Sequence, residues 1–220
     1  MIDRTATAQP ASGLWERFAA LIDGDGSVAQ PALVRLGDPR VPLRDLADAL
    51  HCLCQLHGRD AGMIAVAQAH SDHPVAREWF AVAAVGFAEE RDWLSRLVSA
   101  AGPLPSTPGQ NESESAIATQ RHALEMLAQS ERAGVPTGAA SALVFDWHRL
   151  RPTLVGIAGR LYVDSVPSRL PSLKASQALL EVTPLPAHAE RGFLFGAQQF
   201  LAQQRGLWGL IDARASARGR

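Results

Sequence analysis

The stretch "HALEMLAQSERAGVPTGAASALVF", residues 122–145, predicts two helices joined by a tight turn. In its first half, Leu124 and Leu127 recur at helical spacing and belong to one apolar stripe. Gly134 and Pro136 separate the two halves. Glycine commonly follows the last turn of a helix, and proline is tolerated in the first turn of the next one. The stretch therefore predicts an antiparallel helical hairpin.

The rest of the chain follows the same helical pattern. Alternation typical of strands is absent, and alanine and leucine dominate the long segments. A second tight turn at "SDHP", residues 71–74, predicts another hairpin. We therefore expect an all-α fold in a single domain: a helical bundle of two antiparallel hairpins with additional N- and C-terminal helices. The single domain covers residues 1–220, with the hairpin core at about 43–162, an N-terminal segment at 1–42 and C-terminal helices at 171–214. The four long helices of the core are expected at about 43–70, 74–101, 112–134 and 137–162.

Composition and charge narrow the class of protein. Hydrophobic residues make up 47% of the chain and charged residues 20%, which is typical of a folded globular domain. The formal net charge is −1, so the average charge does not indicate binding to nucleic acid. The N-terminal segment lacks the pattern of a signal peptide, and no run of about 18 apolar residues occurs. We expect a cytoplasmic protein without stable membrane insertion.

The last predicted helix carries large apolar side chains that need a surface to pack against. We expect this helix to lie in the core of the chain, to form a homodimer contact or, because its end is basic, to lie against a membrane surface. Residues 215–220 are expected to fray, as chain ends commonly do. The large apolar side chains are Phe193, Phe195, Phe200, Leu207 and Trp208.

A helical wheel separates the polar residues that face the core of a bundle from those that face water. His57 and Asp60 fall on the apolar side of their helix, and Glu90 falls within the apolar stripe of the next one. Asp48 and Asp146 fall on the polar faces of their helices. A carboxylate buried without a partner is strongly destabilising, so Glu90 is expected to be protonated, paired or bound to a metal.

His122 and Glu125 form a second pair of polar residues. They are three residues apart, so their side chains project from the same side of a helix. The wheel leaves open whether that side faces the core or the solvent. The segments "HGRD", residues 57–60, and "HALE", residues 122–125, each place a histidine three residues before an acid.

These segments resemble the ligand helices of the ferritin-like di-metal bundles. In that family two helices each supply a Glu, and the other two each supply Glu-x-x-His. The resemblance covers residues of about 43–162 and implies a site for iron or manganese, although the histidine here precedes the acid. The ligands that it implies are His57, Asp60, Glu90, His122 and Glu125.

The chain is also similar to an uncharacterised bacterial protein family. The similarity rests on "PSTPGQ", residues 105–110, and "QRHALEMLAQSERAG", residues 120–134. It implies no known activity.

Three functions fit these patterns, and whether the protein is an enzyme stays open. The first is a binding or interaction module without catalysis, in which the inward polar residues only stabilise the packing. The second is a ferritin-like metalloprotein with oxidoreductase or metal-binding activity. The third is a protein with a small-molecule pocket between helices, lined by Trp79 and Trp93.

Overall fold

The all-α fold is confirmed. A computed structural model describes residues 13–58, 62–71, 73–182 and 184–219, and those residues contain helices and no strands. A single 3₁₀ turn, Ser27–Ala29, follows the first helix. The helices are α1 (Leu14–Asp25), α2 (Pro31–Leu36), α3 (Leu43–His57), α4 (Met63–Ala69), α5 (Pro74–Ala101), α6 (Gln110–Ala128), α7 (Val135–Arg160), α8 (Leu173–Val182) and α9 (Ala187–Arg218).

The helix expected over residues 43–70 is interrupted, so that expectation is wrong. Helix α3 ends at its C-cap Gly58, whose N–H donates to the Cys54 carbonyl at 2.8 Å, and α4 begins after the extended Gly62. Glycine is the poorest helix former after proline, and these two glycines lie close together in the sequence. Asp60 lies between them, outside the residues that the structure describes.

Helices α7 and α9 cross with their backbones in contact. The crossing is formed by two G-x-x-x-G segments, residues 134–138 and 192–196. A Cβ atom on any of these four glycines would lie 1.9 to 2.1 Å from a backbone carbonyl oxygen across the crossing. Small residues at this spacing let two helix backbones approach closely. The pairing of α7 with α9 is more extensive than the pairing of α7 with α6 that the hairpin pattern suggests.

A buried ionic cluster holds the C-terminal end of α9 against α3. Arg214 contacts Asp48 at 2.7 Å, and Arg218 contacts Asp48 at 2.7 Å and Asp45 at 2.8 Å. Arg218 also donates to the Thr107 hydroxyl at 2.9 Å. The expectations that Asp48 faces water and that residues from 215 fray are therefore wrong, because the end of α9 covers this face of α3 and remains helical to residue 218.

The apolar side chains of α9 pack inside the chain. Phe193, Phe200, Leu207 and Trp208 are buried, whereas Phe195 is 41% exposed beside Arg132. The core position expected for this helix is therefore confirmed for those four side chains, and the homodimer contact stays a prediction. No helix in the described part of the chain is long and apolar enough to cross a membrane.

Replacement of Gly138 by alanine should separate α7 from α9. The added Cβ would lie 1.9 Å from the Phe193 carbonyl oxygen, so the backbones must move apart. We expect Gly138→Ala to lower the free energy of unfolding, measured by urea denaturation, by about 2–4 kcal/mol. Gly156, on the same helix, has no neighbour within 4 Å of such a Cβ. Gly156→Ala should raise the free energy by about 0.5–1 kcal/mol, and equal losses in both variants would contradict a close crossing.

Replacement of Asp48 by asparagine should leave Arg214 and Arg218 buried with too little negative charge. We expect Asp48→Asn to reduce the free energy of unfolding by about 3 kcal/mol or more, because an unpaired charge in the interior is strongly destabilising. The matched control is Asp23→Asn. Asp23 is 60% exposed and contacts Arg149 at 2.7 Å, so its loss should cost less than about 1 kcal/mol. Similar losses in the two variants would show that the α9 cluster does not anchor the helix.

Candidate functional site

Glu90 is buried, as its position on the wheel predicts, and it is paired with an arginine. Arg151 Nε lies 2.9 and 3.0 Å from the two carboxylate oxygens, and the Trp147 indole N–H donates to Oε2 at 3.1 Å. The guanidinium of Arg151 also lies over the Trp93 ring, 4.8 Å from its centroid, and donates to the Val166 carbonyl. The side chains of α7 therefore satisfy both oxygens of Glu90.

His122 and Glu125 lie on the outer surface of α6. Their side chains are 71% and 54% exposed, and His122 Nδ1 lies 3.7 Å from Glu125 Oε2. Arg121 Nε lies 3.7 Å from the other oxygen of Glu125. Exposed pairs of this kind contribute little to stability. The side of α6 that carries His122 and Glu125 therefore faces the solvent, which the helical wheel left open.

The structure does not gather the expected metal ligands of the described residues into one group. Among the described residues, no group of three or more His, Cys, Asp or Glu side chains is placed to hold a metal ion. His57 and Glu125 line the same cavity of about 130 Å³, whereas Glu90 is not among the residues that line it. Asp60 falls outside the described residues. The site for iron or manganese therefore stays a prediction.

Asp146 belongs to a buried chain of hydrogen bonds, so its expected position on a polar face is wrong. Its carboxylate accepts the Ser27 backbone N–H at 2.6 Å and the Ser27 hydroxyl at 2.5 Å. The Ser27 oxygen accepts the Trp208 indole N–H at 2.8 Å and the Gln204 amide at 3.4 Å. Gln204 Oε1 in turn lies 2.9 Å from His57 Nε2. The 3₁₀ turn at Ser27 covers the face of α7 that a four-helix bundle would leave open.

The ionised carboxylate at one end of this chain determines the protonation of the imidazole at the other end. Asp146 only accepts hydrogen bonds when it is ionised, so Ser27 must donate its hydroxyl proton to it. The Ser27 oxygen must then accept the amide N–H of Gln204, which turns Gln204 Oε1 toward His57. An amide oxygen only accepts, so His57 carries its proton on Nε2 and leaves Nδ1 as an acceptor.

Burial shifts the pKa values of both ends of the chain. Burial raises the pKa of Asp146 to about 6, although the hydrogen bonds from Ser27 oppose the shift. Burial lowers the pKa of His57 to about 4, although the hydrogen bond to Gln204 opposes the shift. Near neutral pH, Asp146 is therefore largely ionised and His57 is neutral.

A cavity of about 660 Å³ lies at one end of the α7–α9 crossing. Its volume is within the range of about 300–1,000 Å³ that is typical of small-molecule sites. Trp79 and Phe80 from α5, Phe145 from α7 and Phe193 from α9 line it. Helix α8 covers it, and the Trp79 indole N–H donates to Ser176 of α8 at 2.9 Å. Trp79 thus lines a cavity as expected, whereas Trp93 packs against Arg151.

Three helices begin at the border of this cavity. The first turns of α5, α7 and α9 contribute lining residues, and none of the three has a side-chain cap. These first turns carry the positive end of the helix dipole, although the Val135 N–H of α7 donates to the Arg132 carbonyl at 3.1 Å and the Ala189 N–H of α9 donates to the Pro186 carbonyl at 2.8 Å. His70, His73 and His188 also line the cavity, and His73 Nδ1 is buried without a hydrogen-bond partner among the described residues.

The sequence contains a pattern that indicates this cavity, although a helical wheel of a single helix does not detect it. The segments 134–138 and 192–196 are both G-x-x-x-G, and both stand near the start of a long helix. Two such segments indicate that the helices cross near their first turns. Aromatic residues near the starts of these two helices would then line a common cavity.

A model of a family of unknown function (DUF6975) matches residues 22–219. The chain belongs to this family. No curated protein and no solved structure matches the chain. Membership of DUF6975 confirms the similarity to an uncharacterised family, while the ferritin-like resemblance and the bacterial origin stay predictions.

The stability of this DUF6975 protein should depend on pH through His57. The unfolded histidine, with a pKa near 6.5, binds a proton that the folded one, with a pKa of about 4, does not. The contribution of His57 to stability is therefore lost as the pH falls from about 6.5 toward 4. We expect the free energy of unfolding of the unmodified chain, minus that of His57→Gln, to fall by about 2 kcal/mol between pH 7 and pH 4.5.

The matched control for this measurement is Asp146→Asn, because Asp146 acts in the opposite direction. Its folded pKa of about 6 lies above its unfolded value, so its contribution to stability grows as the pH falls through 6. The difference between the unmodified chain and Asp146→Asn should rise over the same interval. Parallel pH profiles for all three proteins would show that neither group is buried as described.

Proposed function

We propose that the protein binds a small amphipathic carboxylic acid in the cavity of about 660 Å³ and does not transform it. The observation that carries the proposal is the meeting of four aromatic rings and three uncapped helix starts around one cavity. The proposal joins two of the functions that fit the sequence: a binding module without catalysis and a small-molecule pocket.

The aromatic walls favour a ligand with an apolar body. Trp79, Phe80 and Phe193 are buried on helices that are held in place by other contacts, so their rings form fixed surfaces. Ligand pockets typically combine such apolar walls with a few polar groups that orient the ligand. Leu179 and Leu180 extend the apolar lining on the side of α8.

The uncapped helix starts favour a negative charge at one end of the ligand. Each helix start contributes a partial positive charge, and helix N-termini are common sites for carboxylates. His73 Nδ1 is buried without a partner among the described residues, so a bound polar group would supply the missing hydrogen bond. Arg132 adds a cation to the same lining, and Glu131 adds a carboxylate.

Two of the hydroxyl groups that line the cavity support binding rather than catalysis. The Thr137 hydroxyl donates to the Gly134 carbonyl at 3.0 Å, and the Ser176 hydroxyl donates to the Ser172 carbonyl at 2.9 Å. A nucleophilic hydroxyl needs a neighbouring base that accepts its proton. These two hydroxyls give their protons to backbone carbonyls instead.

Fluorescence of the anionic dye 1-anilinonaphthalene-8-sulfonate tests the proposal. We expect saturable binding of one dye per chain, with octanoate displacing it at a concentration at least about fivefold lower than octanol does, because the helix starts favour the anion. Native mass spectrometry of freshly purified protein should show the same stoichiometry for octanoate. Displacement by octanol at the lower concentration would overturn the assignment of a carboxylic acid.

Two tryptophan variants locate the bound dye. Ala76 lines the cavity, so Ala76→Trp should fill part of it and weaken dye binding by about tenfold or more. Ala118 is exposed on α6, away from the cavity, so Ala118→Trp should leave binding unchanged. Circular dichroism should confirm that both variants remain helical. Equal binding by both variants would place the dye elsewhere and contradict the proposal.

A further inference from the structure

A second, smaller cavity of about 130 Å³ lies among the core helices. It shares no lining residue with the cavity of about 660 Å³. Side chains from α3, α4, α5, α6, α7 and α9 meet around it. Its apolar lining includes Leu56, Met63, Phe87, Leu124, Leu143 and Phe200.

His57 lines this apolar cavity and carries a hydrogen-bond acceptor. Its side chain is only 6% exposed, and its ring packs against Phe87, Trp147 and Phe200. The chain of hydrogen bonds from Asp146 places the ring proton on Nε2, so Nδ1 carries a lone pair. Nδ1 has no hydrogen-bond partner among the described residues. A donor on a ligand in this cavity would supply the hydrogen bond that Nδ1 lacks among the described residues.

The size of the cavity limits the ligand to a small body. An engineered apolar cavity of about 150 Å³ binds one benzene molecule. The cavity beside His57, at about 130 Å³, is of the same size. A ligand that fills it therefore has room for one six-membered ring or an alkyl group of similar volume.

The charges at the rim of the cavity favour a neutral ligand. The rim includes Arg121 and Glu125, which lie 3.7 Å apart and neutralise each other. It also includes Arg91, whose guanidinium lies 5.9 Å from the Phe87 ring centroid and is engaged in a further interaction. Gln129, also exposed, adds a neutral polar group. An ionised ligand would lose its hydration on entering the apolar interior without gaining an unpaired counter-charge from this pair.

We propose that this cavity binds a small neutral molecule whose hydroxyl donates a hydrogen bond to His57 Nδ1 and whose apolar body is no larger than a benzene ring. Phenols and short branched or cyclic alcohols have this chemistry. Gln204, Ser27 and Asp146 act as positioning residues, because together they keep the lone pair of His57 available to the ligand. This second site is independent of the proposed carboxylic acid site.

Binding of phenol, anisole and benzene tests the proposal by ligand-observed NMR and titration calorimetry. The three probes share one ring, and only phenol has a hydrogen-bond donor. We expect saturable binding of one phenol per chain, roughly three- to tenfold tighter than anisole or benzene. On addition of phenol, the ¹⁵N resonance of His57 Nδ1 should move upfield, as it does when an imidazole nitrogen accepts a hydrogen bond. Equal affinities, or no shift of this resonance, would overturn the proposal.

A filled cavity provides the second arm of the experiment. Leu124 lines the cavity and takes no part in the hydrogen-bond chain, so Leu124→Trp should reduce phenol affinity by about tenfold or more. Met126, on the same helix, is 55% exposed, and Met126→Trp should leave phenol affinity unchanged. Ala76→Trp should also leave it unchanged, because Ala76 lines the other cavity. Loss of phenol binding in Ala76→Trp with retention in Leu124→Trp would refute the site at His57.

Discussion

The contact between the backbones of α7 and α9 is the constraint on which the rest of the structure depends. It is possible only because glycine occupies both faces of the crossing, at residues 134–138 and 192–196. The close approach brings the starts of two long helices to the same place, and the start of α5 joins them at the large cavity. The aromatic walls of the cavity and the helix N-termini at its border thus come together because α7 and α9 pack so closely.

Three buried carboxylates show how differently the interior stabilises the same chemical group. Asp48 and Glu90 each lie against a guanidinium, which offsets the loss of hydration. Asp146 is satisfied by the N–H and hydroxyl of Ser27 instead, so burial dominates and raises its pKa to about 6. This least compensated carboxylate is also the one that is connected to His57. One chain of hydrogen bonds therefore contains a carboxylate whose burial is destabilising, Asp146, and orients the candidate binding group, His57.

The helical pattern was sufficient to predict the fold class and most helix positions, because apolar periodicity and Gly or Pro at the ends act locally. The inward positions of His57 and Glu90 were also predicted correctly, since both lie on apolar stripes. The helical wheel predicts that Asp48 and Asp146 face the solvent, because it assumes a core made by the four predicted long helices. Here the end of α9 covers one of them and the turn at Ser27 covers the other. Neither cavity is readable from one helix at a time, since each depends on side chains from several helices.

The place of α9 in the chain has a consequence for synthesis. The glycine face of α7 is synthesised before residues 192–196, and Asp48 is synthesised long before Arg214. Until α9 emerges, the nascent chain exposes a groove of bare backbone and apolar side chains and a carboxylate without its cation. Contacts between residues so distant in sequence slow folding, and unfinished intermediates of this kind aggregate readily. The tight crossing that organises the folded protein thus leaves the growing chain in need of protection until α9 has been synthesised.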